Sequence, residues 1–364
     1  MQKWSNRFGK ARLGVRTARS LLRGSAFVLP AAIEAALASQ DEPSLVGDKP
    51  PQTFFYGGQA VMEGVMMRGQ YNAAIAVRNP KQEIVIKEVP LNAALYRGRV
   101  ARWPFVRGLV MLWDALVLGT SALMWSADVA LEEEEDVDFT LQGAAGFGLV
   151  IVSLAMGIGL FFVVPAAVSA GIKDATGLHS RFAADAIEGV IKLGMLTGYI
   201  WLIGRMKDVK RLFSYHGAEH KTINAYEAGA DLSPKEVSKF TVEHPRCGTA
   251  FLLTLVVLSV IIHMVTGRPN SVILLLLSRV GLILPIAGIA YEVIRFTAKH
   301  LDNRLVQIVI KPNLALQHLT TREPDESMLE VAITSLKRVL AAEQAGVPVT
   351  ETVITGPAVS PSAD

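Results

Sequence analysis

A single cysteine, Cys247, occurs in 364 residues. No intramolecular disulfide can form, so a reducing cytoplasmic face is allowed for that part of the chain. Charge is scarce too: Asp, Glu, Lys and Arg make up 19% of the residues against 51% hydrophobic ones, and the mean hydropathy is +0.35. A soluble average carries more charge, so membrane spans are expected. The Walker ending Gly-Lys-Ser/Thr does not occur, which removes a phosphate loop from consideration. No repeat is visible, and no nucleic-acid partner is expected. Acids are missing before Glu34, whereas Lys3, Arg7, Lys10, Arg12, Arg16, Arg19 and Arg23 interleave with Leu, Val and Phe. Such a segment suits an anionic membrane surface, and an organellar transit peptide has the same composition. Its apolar stretch is too short and interrupted for a secretory signal.

Long apolar runs supply the spans. Gly143 to Ile172 carries no charge and exceeds the roughly 20 residues needed to cross a bilayer. Cys247 to Gly267 is a second run, with His263 its one ionisable side chain besides the cysteine. Leu193 to Gly204 is too short alone and must recruit Phe182 to Lys192, which brings in Asp185, Glu188 and Lys192; the last two are i and i+4 apart and can neutralise each other. A fourth run, Ser271 to Ile294, contains Arg279 and Pro285; whether Ser271 to Ser278 belongs to it stays open. Gly108 to Ala127, interrupted by Asp114, reads as an interfacial or re-entrant helix. Arg205, Lys207, Lys210 and Arg211 after the second span place both termini and the following loop in the cytoplasm. The acidic run Glu132 to Asp136 reads as a solvated helix end.

The densest chemistry lies in that loop, in Tyr215-His216-Gly217-Ala218-Glu219-His220-Lys221. On a helix, His216 and His220 project from one face toward a single metal ion, and Glu219 is placed to deprotonate a bound water. The letters match the inverted zinc-peptidase signature H-x-x-E-H, but the soluble α/β fold of those enzymes is absent. Glu227 lies about 16 Å along the axis from His216, too far to join one ion on a straight helix. His244 and Cys247, in His244-Pro245-Arg246-Cys247, complete the set better, and thiolate with imidazole favours zinc over magnesium or calcium. Lys221, Asn224, Glu227 and Arg246 are candidate substrate or supporting contacts, with solvated or turn positions as the plain alternative. Gly57-Gly58-Gln59-Ala60-Val61-Met62-Glu63-Gly64-Val65-Met66-Met67-Arg68-Gly69 is Met-rich and charged only at Glu63 and Arg68. Those two offer a metal or substrate contact, or a buried pair supporting the fold. Ala73 to Arg78 and Glu83 to Val89 flank the turn Asn79-Pro80-Lys81-Gln82 and read as a β-hairpin. Pro324-Asp325-Glu326 opens an amphipathic helix carrying Met328, Leu329, Ala332, Leu336, Val339 and Leu340.

The glycine-rich phrase, the His216 to Lys221 phrase, His244-Pro245-Arg246-Cys247-Gly248-Thr249 and Leu319-Thr320-Thr321-Arg322-Glu323-Pro324 together resemble the signatures of the YqhQ-like family of bacterial membrane proteins, found also in plastid-bearing lineages. The resemblance runs from about Phe54 to Leu340. It implies a multi-pass membrane protein containing a domain of unknown function, a predicted metal-dependent enzyme, and it implies no substrate.

The expected architecture is an α-helical polytopic membrane protein with about four transmembrane helices and a small cytoplasmic α+β part including a β-hairpin. Residues 1–52 form a basic extension and linker, 53–142 the α+β region with the glycine-rich motif, 143–294 the membrane domain with its His loop at 205–247, 295–343 a helical region and 344–364 a disordered tail. Two functions stay open. One is a metal-dependent enzyme, hydrolytic in type, with zinc on His216, His220, His244 and Cys247 and with Glu219 as catalytic base, acting on a lipid-linked or membrane-peptide substrate. The other is a transporter or assembly factor in which the His/Cys site is structural and Glu188, Lys192, His263 and Arg279 line a polar path. A bacterial inner membrane is the expected location, a plastid membrane the alternative.

Overall fold

The computed structural model describes residues 56–92, 103–131, 144–177, 180–267, 269, 271–346 and 350–356. The basic extension and the acidic run 132–136 lie outside them. Strands β1 (Gly57–Val61), β2 (Gly64–Arg68), β3 (Asn72–Arg78), β4 (Ile84–Pro90) and β5 (Thr352–Gly356) form one antiparallel meander in that order. The expected hairpin is β3 and β4, with Arg78 opposite Ile84. The glycine-rich phrase is a second hairpin: Val61 faces Gly64, leaving Met62 and Glu63 as the turn, with Glu63 at φ 52°. The tail departs from the expectation of disorder, since Thr352–Gly356 pairs with β4 from Glu88 to Ile84. Its Thr-Val-Ile-Thr core is β-branched throughout, and β4 presents an edge that would otherwise be open.

Both faces of the sheet are covered, which explains why β2 and β3 read as apolar runs rather than alternating strands. One face, carrying Val65, Met67, Ala74, Ala76, Ile84 and Ile86, packs on Tyr215 and Ala218 and on Met328, Leu329, Ala332, Leu336 and Val339. The other, carrying Met66, Ala73, Ile75, Val77 and Val85, packs on Ala122, Trp125 and Val129 of helix α1 (Val106–Ala130).

After α1 come α2 (Ala144–Ile158), a π-helical turn (Gly159–Val163), α3 (Val164–Thr176) and α4 (Arg181–Ile203). Helix α5 (Lys207–Glu227), the short α6 (Pro234–Val237), α7 (Thr249–Thr266), α8 (Val272–Gly281) and α9 (Ile283–Lys299) follow, then α10 (Arg304–Thr320) and α11 (Glu326–Ala345). Helix α11 starts at Glu326, and Asp325 caps it, its carboxylate accepting the Met328 amide at 2.9 Å. Among the described residues five helices are long and apolar enough to cross a membrane by length and composition: Val106–Ala130, Val150–Thr176, Phe182–Ile203, Thr249–Thr266 and Val272–Lys299. The first is the stretch expected to be interfacial. Ser271 to Ser278 belongs mostly to α8, which meets α9 at Leu282.

Helix α1 has two different halves. Its N-terminal part lies on α9, where Leu109 and Leu112 join Ile286, Ala287 and Ala290, and Arg107 Nε donates to Glu292 Oε1 at 2.8 Å. From Asp114 onward it belongs to the sheet: Asp114 pairs with Arg68 at 3.9 Å, Gly119 abuts Gln59, and Ser126 Oγ accepts the Met62 amide at 3.1 Å. Leu336 of α11, fully buried between sheet and α5, tests how much this core carries. Leu336→Ala should destabilise the protein by about 2–5 kcal/mol and lower its thermal midpoint, whereas Val353→Ala on an exposed position should not. Equal midpoints for the two variants would contradict the packing described.

Candidate metal centre

Helix α5 sets the site because it is amphipathic in an unusual sense: its buried side carries Glu219, His220 and Lys221 alongside Tyr215, Ala218 and Ile223. Close approach requires glycine at two points. A Cβ on Gly217 would strike the carbonyl oxygen of Arg322, and one on Gly58 of β1 would come within 3.0 Å of the Glu219 side chain. The residues after α10 therefore lie directly on α5, and the Arg322 amide donates to the Phe213 carbonyl at 3.0 Å.

Both imidazoles are oriented through Nδ1. His216 Nδ1 lies 2.9 Å from the Thr320 carbonyl and His220 Nδ1 lies 2.5 Å from the Val242 carbonyl. A carbonyl only accepts, so each Nδ1 carries the proton and each Nε2 presents a lone pair. His216 Nε2 faces Cys247 Sγ at 3.1 Å, while His220 Nε2 is buried with no hydrogen-bond partner among the described residues. The donor atoms of His216, His220 and Cys247 all lie within 4.8 Å of one another. Tetrahedral zinc bonded to nitrogen and sulfur separates such donors by about 3.3–3.6 Å, so the three need shift only by fractions of an ångström to about one. Cys247 sits just before α7 and its Sγ meets Thr249 Oγ1 at 3.1 Å and the Thr249 amide at 3.4 Å.

His244 stands beside this group rather than in it. Its ring centre is 5.5 Å from that of His220, but its Nε2 faces Arg246 Nη2 at 3.3 Å and Glu227 Oε2 at 3.9 Å. Burial pulls its imidazole below the usual range, with Glu227 opposing. Gln317 holds the loop, accepting the His244 amide at 2.9 Å and donating to the His244 carbonyl at 2.8 Å. Glu227 and Arg246 form an ion pair with each other. Lys221 donates to the Ser238 carbonyl at 2.8 Å and pairs with Glu323 at 2.9 Å, and Asn224 donates to the Thr241 and Glu243 carbonyls. These four side chains brace the loop.

Glu219 is buried against β1, where the Gly58 amide is hydrogen-bonded to its carboxylate, and its Oε2 has no partner among the described residues. Burial pushes its pKa up to about 7, with His216 and the Gly58 amide pulling the other way. A carboxylate poised there exchanges protons readily at neutral pH. The glycine-rich phrase thus reaches α5, though not through both of its charges. Glu63 binds Arg211 through both oxygens and accepts at 3.4 Å from the hydroxyl of Tyr215, the residue before His216. Arg68 projects on the other face of the sheet, toward Asp114, because strand residues alternate and Met67 already faces α5. Arg68 is therefore not the partner of Glu219. Sequence reading missed Gln317 and the Val242 carbonyl, and it gave no role to Gly58, Thr249 and Thr320 within the phrases that contain them. Backbone acceptors carry no signal in their side chains.

Residues 103–342 match the family model described as "Protein of unknown function (DUF1385)". The chain is similar to "Uncharacterized protein YqhQ" of Bacillus subtilis (strain 168), at 32% identity over 298 residues covering 79% of this chain and 93% of that protein. No solved structure matches. With the model spanning both the apolar helices and the His/Cys loop, the chain belongs to the DUF1385 family of YqhQ-like proteins.

Proposed function

We propose that this protein is a membrane-embedded, metal-dependent hydrolase whose centre lies at the cytoplasmic interface. The observation that carries the reading is the shared orientation of two imidazoles: with both Nδ1 protons committed to carbonyls, two Nε2 lone pairs and the Cys247 sulfur converge, and the lone pair of His220 is buried with no other use. Backbone carbonyls behind metal-bound imidazoles are the usual supporting contacts. A Cys247–His216 nucleophile pair without metal would leave His220 Nε2 unexplained. His216, His220 and Cys247 would hold the ion with three protein donors, the number found in catalytic rather than structural zinc sites. Zinc there would activate a water and polarise a carbonyl or phosphoryl oxygen. Glu219, the carboxylate next to His220 in the chain, would serve as the proton acceptor. Cys247 stands two residues before α7, so a substrate reaches the site along the bilayer boundary, which suits a lipid-linked molecule or a membrane peptide.

The same reading uses four crossings, by α2–α3, α4, α7 and α8–α9. Parity supports this count. Strand β1 and helix α5 pack together, so an even number of crossings separates β4 from α5, and α1, α2–α3 and α4 cannot all cross. Helix α1, half of it bound to the sheet, is the one that stays on the cytoplasmic side and dips in. The basic cluster after α4 places that side inside.

Elemental analysis of purified protein should find about one zinc per chain, lost in His216→Ala, His220→Ala and Cys247→Ala and kept in His244→Ala and Glu219→Gln. Loss of metal from His244→Ala as complete as from His220→Ala would replace the three-donor centre by a four-donor structural one. For topology, an impermeant thiol reagent applied to intact cells should label Ala175→Cys and spare Lys81→Cys and Asp231→Cys. Labelling of Lys81→Cys with Asp231→Cys protected would overturn the shared side of sheet and loop.

A further inference from the structure

At the other end of α7 the bundle holds a second polar cluster. Asp185, Glu188 and Lys192 of α4, Arg279 of α8 and His263 of α7 are all buried among apolar helices. His263 lies 16 residues after Cys247, about 24 Å along the helix from the His/Cys centre. Arg279 Nε and Nη2 each donate at 2.9 Å to Glu188, Nη2 also reaches Asp185 at 2.9 Å, and Lys192 donates to Glu188 at 2.8 Å. Two carboxylates balance two cations. The carboxylates are engaged, and what remains over is on the basic side: Arg279 Nη1 and both ring nitrogens of His263 have no hydrogen-bond partner among the described residues, at 0% and 1% exposure. His263 lies in the field of Arg279, Lys192 and Glu188. On the neighbouring α9 the charged side chains Glu292, Arg295 and Lys299 come only in its second half, at the opposite end, and Arg304 and Lys311 of α10 are exposed.

Buried donors in a medium of low dielectric require an acceptor. A metal cation would meet Arg279 and Lys192 and find the carboxylates occupied. We infer that Arg279 Nη1 and His263 form a binding site for a small oxyanion, a carboxylate or phosphate group, inside the membrane bundle. The anion would bring the cluster to one net negative charge, and His263 restores neutrality by taking up a proton, so binding is proton-coupled. Two irregularities of the helices flank the site. The π-helical turn packs on α8 and sets Phe162 5.4 Å from Lys192 Nζ, and the α8–α9 break at Leu282 follows Arg279 by three residues. Such interruptions give an element two packings, which a buried ligand needs in order to enter and leave.

Isothermal titration of the purified full-length chain in detergent with inorganic phosphate and with acetate tests this, in two buffers of different ionisation enthalpy. At least one anion should bind with uptake of about one proton, and more weakly at about pH 8 than at about pH 6. His263→Phe should weaken binding at least about tenfold while leaving the anion-free protein as stable as wild type or more so, because it removes a buried polar group that has no partner. Arg279→Lys, which keeps the charge and loses Nη1, should weaken binding as well. A second arm separates sources of the same chemistry: native mass spectrometry of wild type and His263→Phe in mixed phosphatidylcholine and phosphatidylglycerol. Retention of phosphatidylglycerol by wild type alone, in place of binding of the free ions, identifies a lipid phosphate as the occupant. Absence of both kinds of binding, or equal binding by His263→Phe, overturns the site and leaves water there.

Discussion

The clamping of α5 between the β-sheet and α11 is the interaction on which the rest depends. Tyr215 and Ala218 anchor the helix in an apolar core shared with β2, β3 and α11, and that burial fixes its rotation. Once the rotation is fixed, Glu219 must face β1, and His216 and His220 must face the chain segments carrying Thr320 and Val242. The apolar contacts are individually worth about 1.5–3 kcal/mol per side chain, larger than any surface ion pair nearby. Packing, not charge, therefore positions the polar site. The Glu63–Arg211 pair is secondary: the Arg211 side chain is 47% exposed, so the pair contributes little to the helix, and it ties down Glu63, a turn residue in a left-handed backbone conformation.

What could be read beforehand follows from where information is stored in a chain. Helical spacing of His216 and His220, the turn at Asn79 to Gln82 and the helix opening at Pro324 to Glu326 are local patterns, and each corresponds to an observed element, the last with Asp325 as its cap rather than inside its first turn. The apolar stretches were legible by length alone, but the role of α1 was not. Its Asp114 looked like an interruption of a span; it is instead the point where the helix passes from α9 to the sheet, paired with Arg68. Nothing in the local sequence states which partner an apolar helix will find. The tail misled for the opposite reason: small and polar residues dominate it, and the five that form β5 gain their order from the open edge of β4.

The candidate site shows the same division. Side chains with chemistry of their own were visible, and their supports were not, because a carbonyl acceptor leaves no trace in residue type. His244 and Arg68 illustrate the cost of that blindness. Both were charged or ligating residues at suggestive places, yet Glu227 and Arg246 engage the first and Asp114 the second. Pairing decides which donors remain for a ligand, and pairing is a property of the folded arrangement.

Strand β5 has a consequence for how the protein is made. Residues 57–90 supply four strands, residues 352–356 the fifth, and the five long apolar helices among the described residues lie between them in the chain. Ribosomal synthesis proceeds from the N-terminus, so the first four strands emerge long before their closing partner and before α11, which covers one of their faces. The sheet must wait, with an open edge and an uncovered apolar face, until the intervening apolar helices have been made. Thr320, whose carbonyl orients His216, also arrives late. The centre on α5 is therefore completed only after the five long apolar helices have been synthesised.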